Sequence, residues 1–249
     1  MQKLLAHFPA HEAFIELFSG SGSVFFNKKQ AKYSFLNDAD ANIALCYNLL
    51  QDPIATAALV DWIEFVPYSV QIWQQMKSYE PKNDVERVGK FLIFANWGFL
   101  GKPETLKMEL GDAKTQTLKN IHACAKFLAN GKIKWHSCDF EVFLDSVSLR
   151  DFCEINKTFI YCDPPYLATT HNYDTEKWEF ADLERLILAC IKKKCKFAIS
   201  EFDSPDVLML AAKYSLNINI IGKVHNLRNS RTEILLTNYD AKQAQQKIF

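Results

Sequence analysis

The segment T-F-I-Y-C-D-P-P-Y, at residues 158–166, holds the residue types best suited to chemistry. Five mostly β-favouring residues precede two prolines that cannot continue a parallel strand, so a buried strand is predicted to end before Asp163. Ligands of open α/β sheets bind at such strand ends. Asp163 and the carbonyl of Pro164 can each accept an N–H from the exocyclic amine of a planar heterocycle, while Tyr166 stacks on its ring. Pro165 helps to stiffen the loop; the alternative is a structural turn in which Asp163 caps a helix.

A glycine loop, F-S-G-S-G at residues 18–22, follows a predicted strand at residues 13–17. Gly20 and Gly22 allow the backbone to turn sharply and to approach a ligand closely. Asp38 ends the next predicted strand, where a carboxylate can accept hydrogen bonds from both hydroxyls of a ribose. Neither a P-loop nor a basic residue for a phosphate is present, so a ribose without phosphate, as in S-adenosylmethionine, fits this pattern.

Strand and helix signals alternate at both ends of the chain, whereas helical signals fill its middle. Strands are predicted at residues 13–17, 33–37, 133–138, 158–162, 196–200, 218–224 and 232–239, and helices at residues 41–51, 85–99, 183–194 and 205–214. The last two strands flank a polar turn, which predicts an antiparallel hairpin at the end of the sheet. We therefore expect an α/β domain from residues 1–52 and 133–249, interrupted by a mainly helical insert at residues 53–132.

The order of these motifs resembles that of the Dam-like DNA adenine-N6 methyltransferases, whose catalytic motif is D-P-P-Y. F-I-E-L-F-S-G-S-G is similar to their first cofactor motif, with Leu17 in place of the usual proline. L-N-D, ending at Asp38, is similar to their ribose-binding step, and C-D-F, at residues 138–140, to the element that contacts the cofactor adenine. I-S-E-F-D-S-P and R-T-E-I-L-L-T-N-Y resemble their later strand motifs. The resemblance implies a Rossmann-like methyltransferase sheet, with the insert recognising double-stranded DNA.

Roles for individual residues follow from the resemblance. The implied catalytic residues are Asp163, Pro164, Pro165 and Tyr166. The implied ligands of S-adenosyl-L-methionine are Glu16, Phe18, Gly20, Gly22, Asp38, Asp139, Phe140 and Asp163. The implied DNA contacts are Asn96, Lys102, Asn172, Tyr173, Arg228 and Arg231, although the last four also fit solvated loop side chains. The target adenine would rotate out of the duplex and receive its methyl group directly, without a covalent enzyme intermediate.

Three alternative functions fit much of the same sequence pattern. A cytosine-N4 methyltransferase needs the same amine chemistry, but that family more often has serine in place of Asp163. An RNA or protein-glutamine methyltransferase usually begins the motif with asparagine. The third alternative is a catalytically weakened DNA-binding relative. Methyl transfer to DNA, followed by nucleoside analysis, separates them.

Composition sets the expected surroundings of the protein. No run of about 18 apolar residues is present, which argues against a membrane span. The seven cysteines are scattered and include no C-x-x-C pair, which indicates reduced thiols in a cytosol. The pairs His122/Cys124 and His136/Cys138 are not expected to bind metal. We expect a cytoplasmic monomer without metal; a cognate restriction endonuclease is a partner that the resemblance leaves open.

Two features depart from the family pattern. The family's tryptophan- and lysine-bearing segment before the first strand is not matched in residues 1–12. We therefore expect weak binding of S-adenosylmethionine and poor order in the first dozen residues. The insert also lacks the Arg/Asn-rich segment typical of GATC-directed members, which leaves the recognition sequence open.

Charge distribution gives a testable prediction. The whole chain has a net charge of zero, but residues 77–134 carry 11 basic and 6 acidic residues. Neutralising the lysines of this window should weaken DNA binding and flatten its salt dependence, because fewer counterions are released. Changes at Lys192, Lys193 and Lys194 should matter less. Titrations of each variant with DNA at several salt concentrations measure affinity and its salt dependence. A larger effect of the changes at Lys192, Lys193 and Lys194 would contradict this placement of the DNA-binding surface.

Overall fold

The computed structural model describes residues 1–98, 104–107, 113–129, 131–148, 154–167, 178–225 and 230–241 of the chain. Two compact units are present, one formed by Met1–Ala39 with Lys132–Phe249 and the other by Asp40–Gly131. The strands are β1 (Ala13–Glu16), β2 (Tyr33–Asn37), β3 (Lys132–His136), β4 (Thr158–Cys162), β5 (Lys196–Phe202), β6 (Asn217–His225) and β7 (Ser230–Thr237). The helices are α1 (Gln2–Leu5), α2 (Ser23–Asn27), α3 (Ala41–Leu50), α4 (Pro53–Phe65), α5 (Val70–Ser78), α6 (Asp84–Trp97), α7 (Ala113–Leu128), α8 (Phe140–Ser146), α9 (Phe180–Lys192) and α10 (Pro205–Lys213).

The seven strands of the described residues form one sheet in the order β3-β2-β1-β4-β5-β7-β6. Strands β1 to β5 run parallel to one another, whereas β7 is antiparallel to both β5 and β6. The predicted α/β sheet with an antiparallel terminal hairpin is therefore confirmed. Its order changes direction at β1 and β4, and ligands of open α/β sheets bind at such a switch point.

Element boundaries differ from the sequence prediction where side chains intervene. The strand predicted at residues 133–138 ends at His136, because the next residues turn to meet the side chain of Asn37. The helix predicted at residues 183–194 begins earlier, at Phe180, because Glu179 and Asp182 form a capping box that closes its first turn.

Side chains from the central strands fill a core on one face of the sheet. Ile15, Ile160 and Ile199 join apolar side chains of α8, α9 and α10 in a single buried cluster. All three are fully buried. This closely packed core holds the central strands in place, and the strands in turn fix the loops that follow their carboxyl ends.

The helical unit comprises α3 to α7 and begins at Asp40. The sequence prediction set its start near residue 53, but α3 packs against α4, α6 and α7 and so lies within this unit. Four of its helices begin at side chains that accept backbone N–H groups, namely Asp40, Asp52, Ser69 and Asn83. No single helix of the described residues is long and apolar enough to cross a membrane; α3 and α4 reach that length and composition only as a pair bent by 109°.

The N-terminal segment is packed, contrary to the expectation of poor order. Phe8 is 6% exposed and lies edge-on to Phe159, with 4.7 Å between ring centroids. It also lies 5.1 Å from the ring of Tyr161. Leu4 of α1 is buried as well. These contacts cover the second face of the central strands, where an uncovered aromatic surface would otherwise meet water.

The packing of Phe8 gives a stability prediction. We expect Phe8→Ala to lower the free energy of unfolding by about 3–5 kcal/mol, as for other truncations of buried phenylalanine. Met209→Ala, at a side chain that is 54% exposed on α10, is the matched control and should change it by less than about 0.5 kcal/mol. Chemical denaturation measures both, and equal effects of the two variants would show that the N-terminal segment does not pack as described.

Candidate active site at the carboxyl edge of the sheet

Parallel pairing brings the motif-bearing strand ends together. The register of β1 with β4 sets Glu16, the last residue of β1, opposite Tyr161, which is one residue before the end of β4. The D-P-P-Y loop (residues 163–166) and the glycine loop (residues 18–22) therefore leave the sheet side by side. On the other side of β1, β2 pairs in parallel and adds Asp38 to the same edge.

The glycine loop adopts the backbone conformation that its sequence predicts. Gly20 and Gly22 have φ values of +47° and +69°, in the left-handed region that favours glycine. A Cβ added to Gly22 would lie 2.7 Å from the ring of Phe26, whereas one added to Gly20 would meet nothing within 4 Å. The Gly20 amide donates to Asp38 Oδ2 at 2.7 Å. The loop thus has open space on the side of Gly20, next to a carboxylate.

Asn37 connects three strand ends through its side-chain amide. Its Nδ2 donates to Leu17 O at 3.2 Å and to Cys138 O at 2.9 Å. Its Oδ1 accepts from Cys138 N at 3.2 Å. Asn37 is 1% exposed, so these bonds are shielded from water. They fix the spacing of the loops that carry Phe18, Asp38 and the start of α8.

Glu16 places an unsatisfied carboxylate oxygen inside the protein. It is 1% exposed, and its Oε2 has no hydrogen-bond partner within the described part of the chain. Burial and the nearby charge of Asp163 raise the pKa of Glu16 well above its usual value, while Lys28 opposes this rise. A buried polar atom without a partner is costly, so this oxygen is well placed to receive a hydrogen-bond donor from a ligand.

Aromatic side chains form a cluster beside the glycine loop. The ring centroid of Phe18 lies 5.6 Å from that of Phe140 and 5.6 Å from that of Trp178. The Trp178 ring meets the Phe18 ring edge-on. The guanidinium of Arg185 stands 4.2 Å from the centre of the Phe140 ring. Arg185 also forms a salt bridge with Asp139, which caps α8. Asp139 therefore holds Phe140 in place through α8 and Arg185.

The D-P-P-Y loop is fixed by its own side chains and by β5. The hydroxyl of Tyr166 donates to Asp163 Oδ1 at 3.0 Å. The ring of Tyr166 stands perpendicular to that of Phe202, with centroids 4.7 Å apart. Directly after the loop, Leu167 N donates to Glu201 Oε1 at 2.9 Å. The carboxylate and the aromatic ring of the loop are thus held at a defined separation.

The surroundings of Asp163 raise the pKa of its carboxyl group above the usual value for an aspartate. Asp163 is exposed to solvent, although protein atoms lie close to one side of its carboxyl group. The loss of surrounding water raises the pKa of Asp163 to about 6; the hydrogen bond from Tyr166 lowers it, and the charge of Glu233 raises it. Asp163 is thus available as a hydrogen-bond acceptor above about pH 6, and it loses that role as the pH falls through this value.

Most of the residues singled out from the sequence meet at this edge. The structure brings together Glu16, Phe18, Gly20, Gly22, Asp38, Asp139, Phe140, Asp163, Pro164, Pro165 and Tyr166. Arg231 lies on β7, with its guanidinium 5.4 Å from the ring centre of Phe202. Asn96 lies on α6 of the helical unit, where its side chain donates to Leu92 O. Lys102, Asn172, Tyr173 and Arg228 lie outside the described residues.

Sequence reasoning did not single out Trp178, Arg185 or Glu201. Trp178 lies two residues before α9 and Arg185 lies on α9. No local sequence pattern predicts that either residue reaches the site. Glu201 directly follows the strand predicted at residues 196–200, which the structure extends to Phe202. Its burial depends on this extension and on a specific partner, and neither follows from the local sequence.

The titration of Asp163 is directly testable. Carbon-13 NMR of side-chain carboxyl groups should show a midpoint near pH 6. Tyr166→Phe removes a hydrogen bond to the ionised form and should raise this midpoint. Glu233→Gln removes a neighbouring negative charge and should lower it. A midpoint near that of an ordinary aspartate, unmoved by either change, would contradict the described surroundings.

Metal ligands are not grouped in the described ranges: no three His, Cys, Asp or Glu side chains there are placed to hold a metal ion.

Among known structures, the rRNA methyltransferase aviRa from Streptomyces viridochromogenes is similar over 100% of this chain and 84% of its own, with 12% identity and a TM-score of 0.42. A SAM-dependent methyltransferase from Agrobacterium tumefaciens is similar over 95% of this chain and 58% of its own, with 10% identity and a TM-score of 0.42. Such low scores establish no function.

Sequence comparisons are more specific. Modification methylase StsI of Streptococcus sanguinis is 24% identical over an alignment of 278 positions, gaps included, that covers 97% of this chain and 41% of that protein. The chain thus spans less than half the length of this relative. The family model of the D12 class N6 adenine-specific DNA methyltransferases matches residues 1–95, which include the glycine loop and Asp38. The resemblance to the adenine-N6 DNA methyltransferases is therefore confirmed, by this family match over residues 1–95 and by the relative.

Proposed function

We propose that this protein transfers a methyl group from S-adenosylmethionine to N6 of an adenine rotated out of double-stranded DNA. The observation that carries the proposal is the adjacency of two sites at one sheet edge. The glycine loop with Asp38 leaves β1 and β2, and the D-P-P-Y loop leaves β4, directly beside β1. A methyl donor and an amine acceptor bound at these loops would be neighbours. The D12 family match and the similarity to a modification methylase support the same reaction.

The residues of the first site fit the proposed cofactor. Bound S-adenosylmethionine supplies an electrophilic methyl group on a positively charged sulfur. Asp38 would accept hydrogen bonds from the ribose hydroxyls. The unsatisfied oxygen of Glu16 offers an acceptor for the amino group of the methionine part. Open space beside Gly20 leaves room for the ligand backbone. Phe18 and Phe140 provide an apolar surface for a planar base.

The residues of the second site fit an exocyclic amine. The lone pair of adenine N6 is delocalised into the ring, so N6 is a poor nucleophile. Asp163 and the carbonyl of Pro164 would each accept one N6 hydrogen, which favours a more tetrahedral nitrogen and stabilises the positive charge that develops on it. Tyr166 would stack on the base, worth about 1–3 kcal/mol. This offsets part of the roughly few kcal/mol needed to unstack the adenine.

The helical unit is proposed to contact DNA, but fewer of its lysines are available than the sequence indicates. Four of them donate to backbone carbonyls within this unit, namely Lys77, Lys90, Lys107 and Lys114. Lys119 and Lys126 instead lie exposed on α7, separated by seven residues, on one side of the helix. These two lysines are the sharper candidates for contacts to phosphates.

Substitution of the D-P-P-Y residues tests the chemistry. We expect Asp163→Ala to lower methyl transfer to mixed-sequence DNA by at least about 10²-fold, since removal of one preorganised electrostatic partner commonly costs that much. Tyr166→Ala should weaken productive binding of DNA more than binding of the cofactor. Asp145→Ala is the matched control, because Asp145 is an exposed aspartate on α8 that pairs with Lys192. It should keep full activity.

The product identifies the reaction. Digestion of the methylated DNA to nucleosides should yield N6-methyl-2′-deoxyadenosine. N4-methylcytosine in its place would assign the chain to the cytosine-N4 class, and full activity of the Asp163 variant would remove the proposed role of the D-P-P-Y loop. Absence of transfer by the wild-type protein, with DNA binding retained, would indicate a DNA-binding relative without activity.

A further inference from the structure

We infer that Glu201 is a positioning residue of this site, whose two carboxylate oxygens hold the D-P-P-Y loop against the end of β5. The inference rests on the proposed function, since positioning has meaning only for a loop that binds the acceptor base. Glu201 itself does not contact the base. It acts through the backbone that follows Tyr166.

The surroundings of Glu201 are unusual for a charged side chain. It lies in β5 beside Ile199 and is fully buried, at 0% exposure. Its Oε1 accepts from Leu167 N at 2.9 Å, and its Oε2 accepts from Phe202 N at 2.8 Å. Both oxygens therefore bind backbone N–H groups, and one of these groups belongs to the residue directly after the D-P-P-Y loop.

The two bonds constrain the position of the Tyr166 ring from both sides. Leu167 N fixes the backbone that follows Tyr166, and Phe202 N fixes the residue whose ring stands 4.7 Å from the Tyr166 ring. Next to Glu201, the hydroxyl of Ser200 lies 2.9 Å from that of Tyr161 on β4. Three successive residues of β5 thus contact the strand and loop that carry Asp163.

A carboxylate is the side chain that these contacts require. Two N–H donors need two acceptor oxygens at a fixed separation, and glutamine would present an NH₂ group to one of the donors. Aspartate has the same charge but is shorter by one methylene group, so it cannot reach both donors. Burial raises the pKa of Glu201 to about 7, and the two backbone hydrogen bonds lower it. Burial of this carboxyl group therefore costs electrostatic free energy, which the two backbone hydrogen bonds partly offset.

The experiment compares Glu201→Gln and Glu201→Asp with wild type, and Glu184→Gln serves as a matched control. Glu184 also accepts two hydrogen bonds, from Lys213 and Tyr214, but on the surface of α9. We expect kcat for methyl transfer to fall about 10²-fold in both Glu201 variants, as for a misplacement of about 1 Å. The dissociation constant for S-adenosylmethionine should change less than threefold. The control should retain wild-type kcat.

Amide hydrogen exchange measured by NMR provides a readout that is independent of activity. In the wild type, the Leu167 amide should exchange slowly, and Glu201→Gln should accelerate its exchange selectively. Fast exchange at Leu167 in the wild type would overturn the proposal even if every variant unfolded. Wild-type kcat in Glu201→Gln would also overturn it, and wild-type kcat in Glu201→Asp would assign the effect to charge rather than to positioning. Loss of transfer in the wild type itself would instead contradict the proposed function and leave the exchange result standing.

Discussion

The parallel pairing of β1 with β4 is the constraint on which the site depends. It joins strands that are separated by more than 140 residues in the chain, and its register brings Glu16 level with Tyr161. Because both strands are parallel, their carboxyl ends lie at the same edge, and the loops that follow must be neighbours. The helical unit is inserted in the chain between β2 and β3. The pairing is kept, because β1 lies between β2 and β4 in the sheet.

Two buried side chains convert this adjacency into fixed geometry. Asn37 binds Leu17 and Cys138 on the cofactor side, whereas Glu201 binds the backbone after the D-P-P-Y loop on the acceptor side. The same region concentrates carboxylates, and burial raises the pKa of Asp163 and of Glu201. A cationic methyl donor bound at this site would lower these pKa values, and the ionised form of Asp163 would stabilise the positive charge that develops on the acceptor nitrogen.

The sequence was sufficient where function depends on short local patterns. Prolines after an apolar run marked the end of β4, and Gly20 and Gly22 marked a turn that requires positive φ. It was insufficient where function depends on partners distant in the chain. Trp178 and Glu201 join the site only through tertiary contacts with Phe18 and Leu167. The order of the N-terminal segment was missed for the same reason, because the aromatic face that Phe8 covers comes from β1 and β4, and no periodicity in residues 1–12 reveals it.

Calorimetric titration with S-adenosylmethionine tests whether the edge beside β1 is a cofactor site adjacent to the amine-binding loop. We expect binding to the wild-type protein at one site per chain. We expect affinity at least about tenfold lower in Asp38→Ala, which loses charge-assisted hydrogen bonds worth roughly 1.5–3 kcal/mol each. Asp52→Ala, which removes a helix cap in the helical unit, should bind like wild type. Absence of binding to the wild-type protein, or unchanged affinity in Asp38→Ala, would show that this edge of the sheet is not the cofactor site.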